Sequence, residues 1–217
     1  MTLSQRFSNE CRLYVIVDPA ACRGRDPVEI AEQAIEGGAD AIQLRDKQPA
    51  GSGLAEIAAT LRDLTRRAGK LFIINDYLDL CVWVGADGVH LGQKDASIAR
   101  ARRILSPGIL VGRSTHSLEQ ALAAQNEGTD YIGVGPVFQT PTKPNAPAVG
   151  LSLVEQVQKN TSIPFVAIGG IDEGNIEAVR SAGAKAVAVV RAVVGAADVR
   201  QAAKILKDRM DRVDVQR

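Results

Sequence analysis

Four times along the chain a glycine and two small or polar residues run straight into a short apolar stretch: Gly38-Ala39-Asp40-Ala41-Ile42, Gly85-Ala86-Asp87-Gly88-Val89, Gly128-Thr129-Asp130-Tyr131-Ile132 and Gly183-Ala184-Lys185-Ala186-Val187. Glycine stops a helix and the apolar stretch starts a strand. The copies recur roughly every 43 to 55 residues, the length of two βα units. A second series of apolar runs falls between them, at Leu13 to Val17, Leu71 to Ile74, Ile109 to Val111 and Phe165 to Ile168. The two interleaved sets predict about eight parallel strands. These runs are nearly continuous Val, Ile, Leu and Ala rather than alternating, as strands covered on both faces require.

Helical spacing fills the gaps, at Pro27 to Glu36, Leu54 to Ala68, Leu78 to Val84, Ile98 to Leu105, Leu118 to Asn126, Leu153 to Lys159, Asn175 to Ser181 and Val199 to Arg209. Asp26-Pro27, Ser117 and Asp172 supply start signals. An open doubly wound sheet shares this alternation, but no Gly-rich dinucleotide loop follows the first strand. The expected fold is therefore α/β: a single (β/α)8 TIM barrel with its active site at the C-terminal ends of the strands. It is read as one domain over residues 1–217, with a core of about residues 12–208 and frayed N- and C-terminal tails.

The 26 basic and 25 acidic residues leave a net charge of +1, which argues against a nucleic-acid or membrane surface and for a small partner. The polar start, Met1 to Glu10, has no apolar leader segment. The longest apolar stretch, Ala186 to Ala197, is interrupted by Arg191 and is too short to span a bilayer. A cytoplasmic protein is expected. Cys11, Cys22 and Cys81 lack the spacing of a redox or metal motif and are expected to be inert thiols.

Every strand ends in a different polar cluster, where a barrel of this kind places its chemistry. Gln43-Leu44-Arg45-Asp46-Lys47 puts Gln43, Arg45 and Lys47 on one face if the extended conformation continues, three donors suited to a polyanion. The loop after it, Gln48 to Gly53, is flexible enough to cover a ligand. Asn75-Asp76 closes the next strand and Asp95 follows the one after. Two carboxylates at neighbouring strand ends can reach a common ion, and oxygen ligands without a His or Cys cluster point to Mg2+. As helix caps, the same aspartates would need no metal. The aperiodic stretch from Gly135 to Gly150 holds Thr140, Pro141, Thr142 and Lys143, an anion-binding set on a lid stiffened by proline. Gly169-Gly170 and Val190-Arg191 end the last two strands, where barrels often hold a phosphate with backbone N–H groups. His90 and His116 read as satisfied polar residues, and Ser114 has no His and Asp neighbours in sequence. Many cations and few bases suit a departing diphosphate, with a second anion site for a monophosphate. Two phosphorylated substrates at one mouth imply group transfer.

QLRDK, IND, GVHLGQKD, GRSTHS, GPVFQTPTK, IGGI and VAVV, in this order, closely resemble the thiamine phosphate synthases over about residues 12–208. The resemblance implies an enzyme that joins hydroxymethylpyrimidine diphosphate to a thiazole phosphate, releasing diphosphate, with Mg2+ as cofactor. It implies that Gln43, Leu44, Arg45, Asp46, Lys47, Asn75, Ser114 and Lys143 contact the pyrimidine diphosphate, with Arg45, Lys47, Ser114 and Lys143 as the catalytic set. Asp76 and Asp95 would bind Mg2+, while Thr140, Pro141, Thr142, Gly170, Val190 and Arg191 would surround the thiazole phosphate. The implied mechanism is dissociative, needs no strong base, and releases CO2 when the acceptor is carboxylated. Many members have serine where this chain has Arg191. A homodimer is a possible assembly. Two other readings are a thiazole tautomerase-like relative, which generally lacks the aspartates and the diphosphate cluster, and a non-catalytic sensor of phosphate ligands.

Overall fold

The apolar runs become eight parallel strands in the computed structural model, which describes residues 1–47, 53–140 and 147–212. They are β1 (Leu13–Val17), β2 (Ala41–Leu44), β3 (Leu71–Asn75), β4 (Gly88–Leu91), β5 (Leu110–Thr115), β6 (Tyr131–Val134), β7 (Phe165–Ile168) and β8 (Val187–Val189). The barrel closes in chain order, and β8 returns to β1 with Leu13 beside Val187. Helices cover the outside: α2 (Pro27–Glu36), α3 (Leu54–Arg67), α4 (Leu78–Val84), α5 (Ile98–Ile104), α6 (Leu118–Asn126), α7 (Gly150–Asn160), α8 (Ile176–Ser181), α9 (Arg191–Val194) and α10 (Val199–Met210), after an N-terminal α1 (Leu3–Glu10). β5 runs past Val111 to Thr115, so Ser114 belongs to the strand itself.

Residues 3–10, expected to fray, form α1 instead. Thr2 caps it in a reciprocal box, its hydroxyl accepting from the Gln5 N–H at 3.2 Å and the Gln5 side chain accepting from the Thr2 N–H at 2.9 Å. Its one buried side chain, Phe7, lies on the Tyr131 ring with centroids 4.2 Å apart, inside the barrel. A polar helix with a single apolar anchor shows no periodicity to read.

Alternation along the strands separates two cores. Leu13, Val15, Val17, Ile42, Leu44, Phe72 and Ile74 pack outward against the helices. Tyr14, Ile16, Ala41, Leu71, Ile73, Leu110, Tyr131 and Val166 point inward and fill the barrel below its mouth.

The repeat in the sequence has a physical reason at the N-terminal end of the barrel. The Asp40 carboxylate accepts from the Arg12 and Leu13 N–H groups at 2.9 and 3.0 Å, that of Asp87 from the Phe72 N–H at 2.9 Å, and that of Asp130 from the Val111 N–H at 2.7 Å. Each aspartate thus satisfies the open N–H at the start of the preceding strand, and each is neutralised by a cation. Lys207 and Lys70 serve Asp40, Arg62 serves Asp87 and Arg102 serves Asp130. The fourth copy carries Lys185, which is exposed, and the β7–β8 pair is joined there by backbone alone, Ala167 N–H to Ala186 C=O at 3.0 Å.

Candidate active site

The opposite end of the barrel opens into a cavity of about 430 Å³. Gln43, Arg45, Asn75, His90, Ser114, Gln139, Thr140, Gly170, Val190 and Arg191 are among its lining residues, so the ends of seven strands, β2 to β8, contribute.

At the end of β2, Gln43 points inward and is buried, whereas Leu44 points outward into the helix-facing core. The Leu44 side chain therefore does not line the cavity. Alternation carries Arg45 inward, where its guanidinium pairs with Asp18 at the end of β1. Asp18 also accepts from the Ala20 N–H at 3.0 Å, so its carboxylate is a fixed post for the arginine. This residue escaped the sequence reading, although the Asp18-Pro19 stop after β1 marked a strand end. Beyond it the Asp46 carbonyl accepts from the Tyr77 hydroxyl at 3.2 Å, and the half-exposed Lys47 pairs with Asp76 across the gap to β3.

Asn75 is buried at the end of β3, and its side-chain nitrogen has no partner among the described residues. A donor buried without a partner is costly and suits a ligand acceptor in the cavity. Asp76 follows with φ of 65°, a left-handed conformation that Asp tolerates better than most residues. Asp95 is reached by the loop after β4, which Arg113 tethers by donating to the Ala96 carbonyl at 3.0 Å. The Gly92 N–H donates to the Asp95 carboxylate at 2.6 Å.

Neither aspartate is the cap of a described helix: Tyr77 precedes α4 and Ser97 caps α5. Instead the two carboxyl groups meet in a hydrogen bond. Burial pushes the Asp76 carboxyl up, and its bond to Asp95 pushes it further. For Asp95 burial acts upward too, but the bond to Asp76, the Gly92 N–H and the charges of Lys47 and Arg113 outweigh it and bring this carboxyl down. Their mutual contact thus drives the two carboxyls apart, Asp76 upward and Asp95 downward. Two hard oxygen donors drawn together suit Mg2+, which needs only one or two carboxylates and completes its shell with water and phosphate oxygens. Among the described residues no group of three His, Cys, Asp or Glu side chains forms a site for a softer metal.

Ser114, on β5, meets the Nε2 of His90 at 3.0 Å, while His90 Nδ1 meets the Tyr131 hydroxyl at 3.1 Å. A phenol in that place makes a hydrogen-bond chain rather than a nucleophile, base and acid. His116 Nδ1 contacts the Gly135 carbonyl.

After β6 the chain folds back along β7, the Val137 and Phe138 N–H groups donating to the Ile168 and Gly169 carbonyls at 2.8 and 2.9 Å. Gly170 is required by this approach: its φ is 64°, and a Cβ there would lie 2.7 Å from both the Gln139 carbonyl oxygen and the Phe138 Cβ. Thr140 lines the cavity; Pro141, Thr142 and Lys143 lie outside the described residues, as does most of the loop expected after β2. On the far side Val190 precedes the short helix α9, which begins with Arg191. The Arg191 side chain is exposed at the cavity mouth and makes no hydrogen bond or ion pair with another described residue.

The three cysteines are free and buried, as expected. No helix among the described residues is long and apolar enough to cross a membrane.

Comparison with known proteins agrees with this geometry. Residues 13–193 match the family model described as thiamine monophosphate synthase. The thiamine-phosphate synthase of Methanoculleus marisnigri is 47% identical over 199 residues, 91% of this chain and 94% of that protein. That of Chloroflexus aurantiacus is 48% identical over 197 residues, 90% of this chain and 91% of that protein. Among solved structures, a thiamine phosphate pyrophosphorylase from Pyrococcus furiosus superposes with a TM-score of 0.87 at 41% identity, covering 94% of this chain and 98% of that one.

Proposed function

The chain belongs to the thiamine monophosphate synthase family, and from that premise we propose how its own residues perform the transfer. The enzyme is a transferase of thiamine biosynthesis that condenses hydroxymethylpyrimidine diphosphate with a thiazole phosphate. The observation that carries the assignment of roles is the separation of charge at the barrel mouth. Carboxylates and cations meet on the β2–β4 side, and among the described residues the Arg191 guanidinium stands beside the glycine-lined β7–β8 side.

On the first side Arg45, held by Asp18, and Lys47 face the diphosphate. Asp76 and Asp95 would hold Mg2+, which when bound neutralises charge on the leaving diphosphate. Lys143, outside the described residues, would complete the cationic set. The C–O bond at the pyrimidine methylene breaks, the electron pair leaves with the diphosphate, and the resulting cation is stabilised by the aminopyrimidine ring. The thiazole nitrogen then donates its lone pair to form the C–N bond. No proton has to be removed, which suits a site whose two histidines are engaged with neighbouring groups. A carboxylated acceptor would lose CO2 as well.

On the second side Thr140, Gly170, Val190 and Arg191 receive the thiazole phosphate, a role that Pro141 and Thr142, outside the described residues, would share. Holding both substrates at one mouth removes the entropy of their encounter, an advantage that grows with the precision of alignment. Buried free thiols suit a reducing compartment, which supports a cytoplasmic enzyme, with a homodimer as its possible assembly.

The test is product formation by the purified protein. Thiamine phosphate and diphosphate should appear in equal amounts only when both substrates and Mg2+ are present. Diphosphate released without the thiazole partner at the same rate would contradict a transferase. Within that assay, Lys143→Ala should slow single-turnover chemistry by roughly 100- to 1,000-fold, as loss of one group facing developing charge does.

A further inference from the structure

Along the cavity floor a continuous hydrogen-bond chain crosses the inside of the barrel. The Gln43 side-chain nitrogen donates to the Tyr14 hydroxyl at 2.7 Å, Tyr14 meets the Tyr131 hydroxyl at 3.1 Å, Tyr131 meets His90 Nδ1 at 3.1 Å, and His90 Nε2 meets Ser114 Oγ at 3.0 Å. The five residues come from β2, β1, β6, β4 and β5. Room is made for them. A Cβ on Gly112 of β5 would lie 2.6 Å from His90 Nδ1 and collide with the Tyr131 ring. Phe7 of α1 seals the chain from below.

Counting hydrogens gives the chain a direction. Each phenol has one hydrogen to donate. The Gln43 amide nitrogen supplies the hydrogen at the first link, so Tyr14 must donate to Tyr131 and Tyr131 to His90 Nδ1. His90 is then the neutral tautomer with its hydrogen on Nε2, which donates to Ser114. Burial pushes both tyrosine hydroxyls well above the ordinary phenol range, so each keeps its hydrogen.

We propose that this chain sets the polarity of the pyrimidine pocket, presenting a carbonyl acceptor at Gln43 on one wall and a hydroxyl donor at Ser114 on the other. An aminopyrimidine offers the complementary pair, an amine that donates and ring nitrogens that accept. Tyr14, Tyr131 and His90 are positioning residues: they hold the Gln43 amide against flipping and leave the Ser114 hydrogen free to point into the cavity. A pyrimidine with oxygen in place of the amine meets acceptor against acceptor at Gln43 and is rejected. The inference rests on the functional reading above for the identity of the ligand, but not for the direction of the chain.

Nitrogen-15 imidazole spectra of the substrate-free protein read that direction, with His116→Gln assigning the signals. The expected result is the Nε2–H tautomer of His90 in the wild type and a tautomer mixture in Tyr131→Phe, which keeps the ring against Phe7 but removes the donor to Nδ1. In turnover, Tyr131→Phe should raise KM for the aminopyrimidine diphosphate roughly tenfold, leave KM for the thiazole phosphate unchanged, and shrink the preference for the amino over the oxo pyrimidine. Tyr14→Phe cuts the chain at Gln43 instead, leaves the Tyr131–His90 link and the tautomer in place, and serves for the turnover measurements if Tyr131→Phe does not fold. An Nδ1–H tautomer in the wild type, or an unchanged tautomer in Tyr131→Phe, overturns the chain and leaves the enzyme assignment intact. Correct tautomers with an unchanged amino-over-oxo preference overturn its role in specificity. Absence of turnover in the wild type alone would count against the enzyme assignment instead.

Discussion

At the N-terminal end of the barrel Asp40, Asp87 and Asp130 are each enclosed by backbone N–H groups and a cation, whereas at the C-terminal end Asp76 and Asp95 face each other. The first arrangement satisfies every lone pair it can and ties neighbouring strands together. The second brings like charges into contact, beside an amide nitrogen at Asn75 that has no partner among the described residues. One end is built to be complete without a ligand. Under the proposed function the other is completed by a cation and phosphate oxygens, and it would carry part of the folding cost until they bind.

The largest expected effect breaks the second arrangement. Asp76→Ala or Asp95→Ala should lower turnover by about 1,000-fold, equivalent to about 4 kcal/mol, by removing a ligand to the charge-neutralising cation. Neither should lower the unfolding free energy, because each removes one of two competing carboxylates; steady-state rates and denaturant titration on the same samples check both halves. Equal loss of stability and activity would put these aspartates with the structural set.

Asp40→Ala should do the reverse. It strands two N–H groups and two lysines, and its loss should reduce stability by about 3 kcal/mol or more, read by urea unfolding, with KM for both substrates unchanged. A change in KM without loss of stability would erase the distinction between the two ends.

A smaller effect sharpens the comparison within the mouth. Arg191→Ser should weaken thiazole-phosphate binding roughly ten- to a hundredfold and leave pyrimidine-diphosphate binding alone, as titration calorimetry with each ligand would show. Equal affinity in both proteins would leave residue 191 with a backbone role only.

The smallest is Asn75→Leu. Replacing a buried donor without a partner by an apolar group of similar size should leave stability equal or raise it by up to about 1 kcal/mol, while KM for the pyrimidine substrate rises. Destabilisation by this exchange would mean that the amide is already satisfied in the free protein.

The same contrast explains what could be read from the chain alone. The glycine repeat is legible because each copy stops a helix where a strand begins, and three of its four copies, at Asp40, Asp87 and Asp130, also clamp the start of the preceding strand. Strand ends are legible as polar clusters, and Gln43, Arg45, Asn75 and Ser114, which such clusters contain, line the cavity. Relations across the barrel left no such mark. Tyr14 and Tyr131 sit inside apolar runs where an aromatic reads as a strand former, and their hydroxyl contact spans residues far apart in sequence. Asp18 became part of the site only through Arg45 on the next strand. Leu44 was included with its neighbours, although alternation turns its side chain to the outer core. The polar helix α1 showed no stripe because a single Phe7 anchors it.

The contrast between a completed end and an awaiting end is tested most directly by thermal unfolding with Mg2+ and inorganic diphosphate. A ligand set that binds only the folded mouth must raise the melting temperature. The wild type should gain more from both together than from either alone, Asp76→Asn with Asp95→Asn should lose that joint gain, and Asp40→Asn should melt lower yet gain as much as the wild type. No joint gain in the wild type, or an undiminished one in the double aspartate variant, would contradict the account.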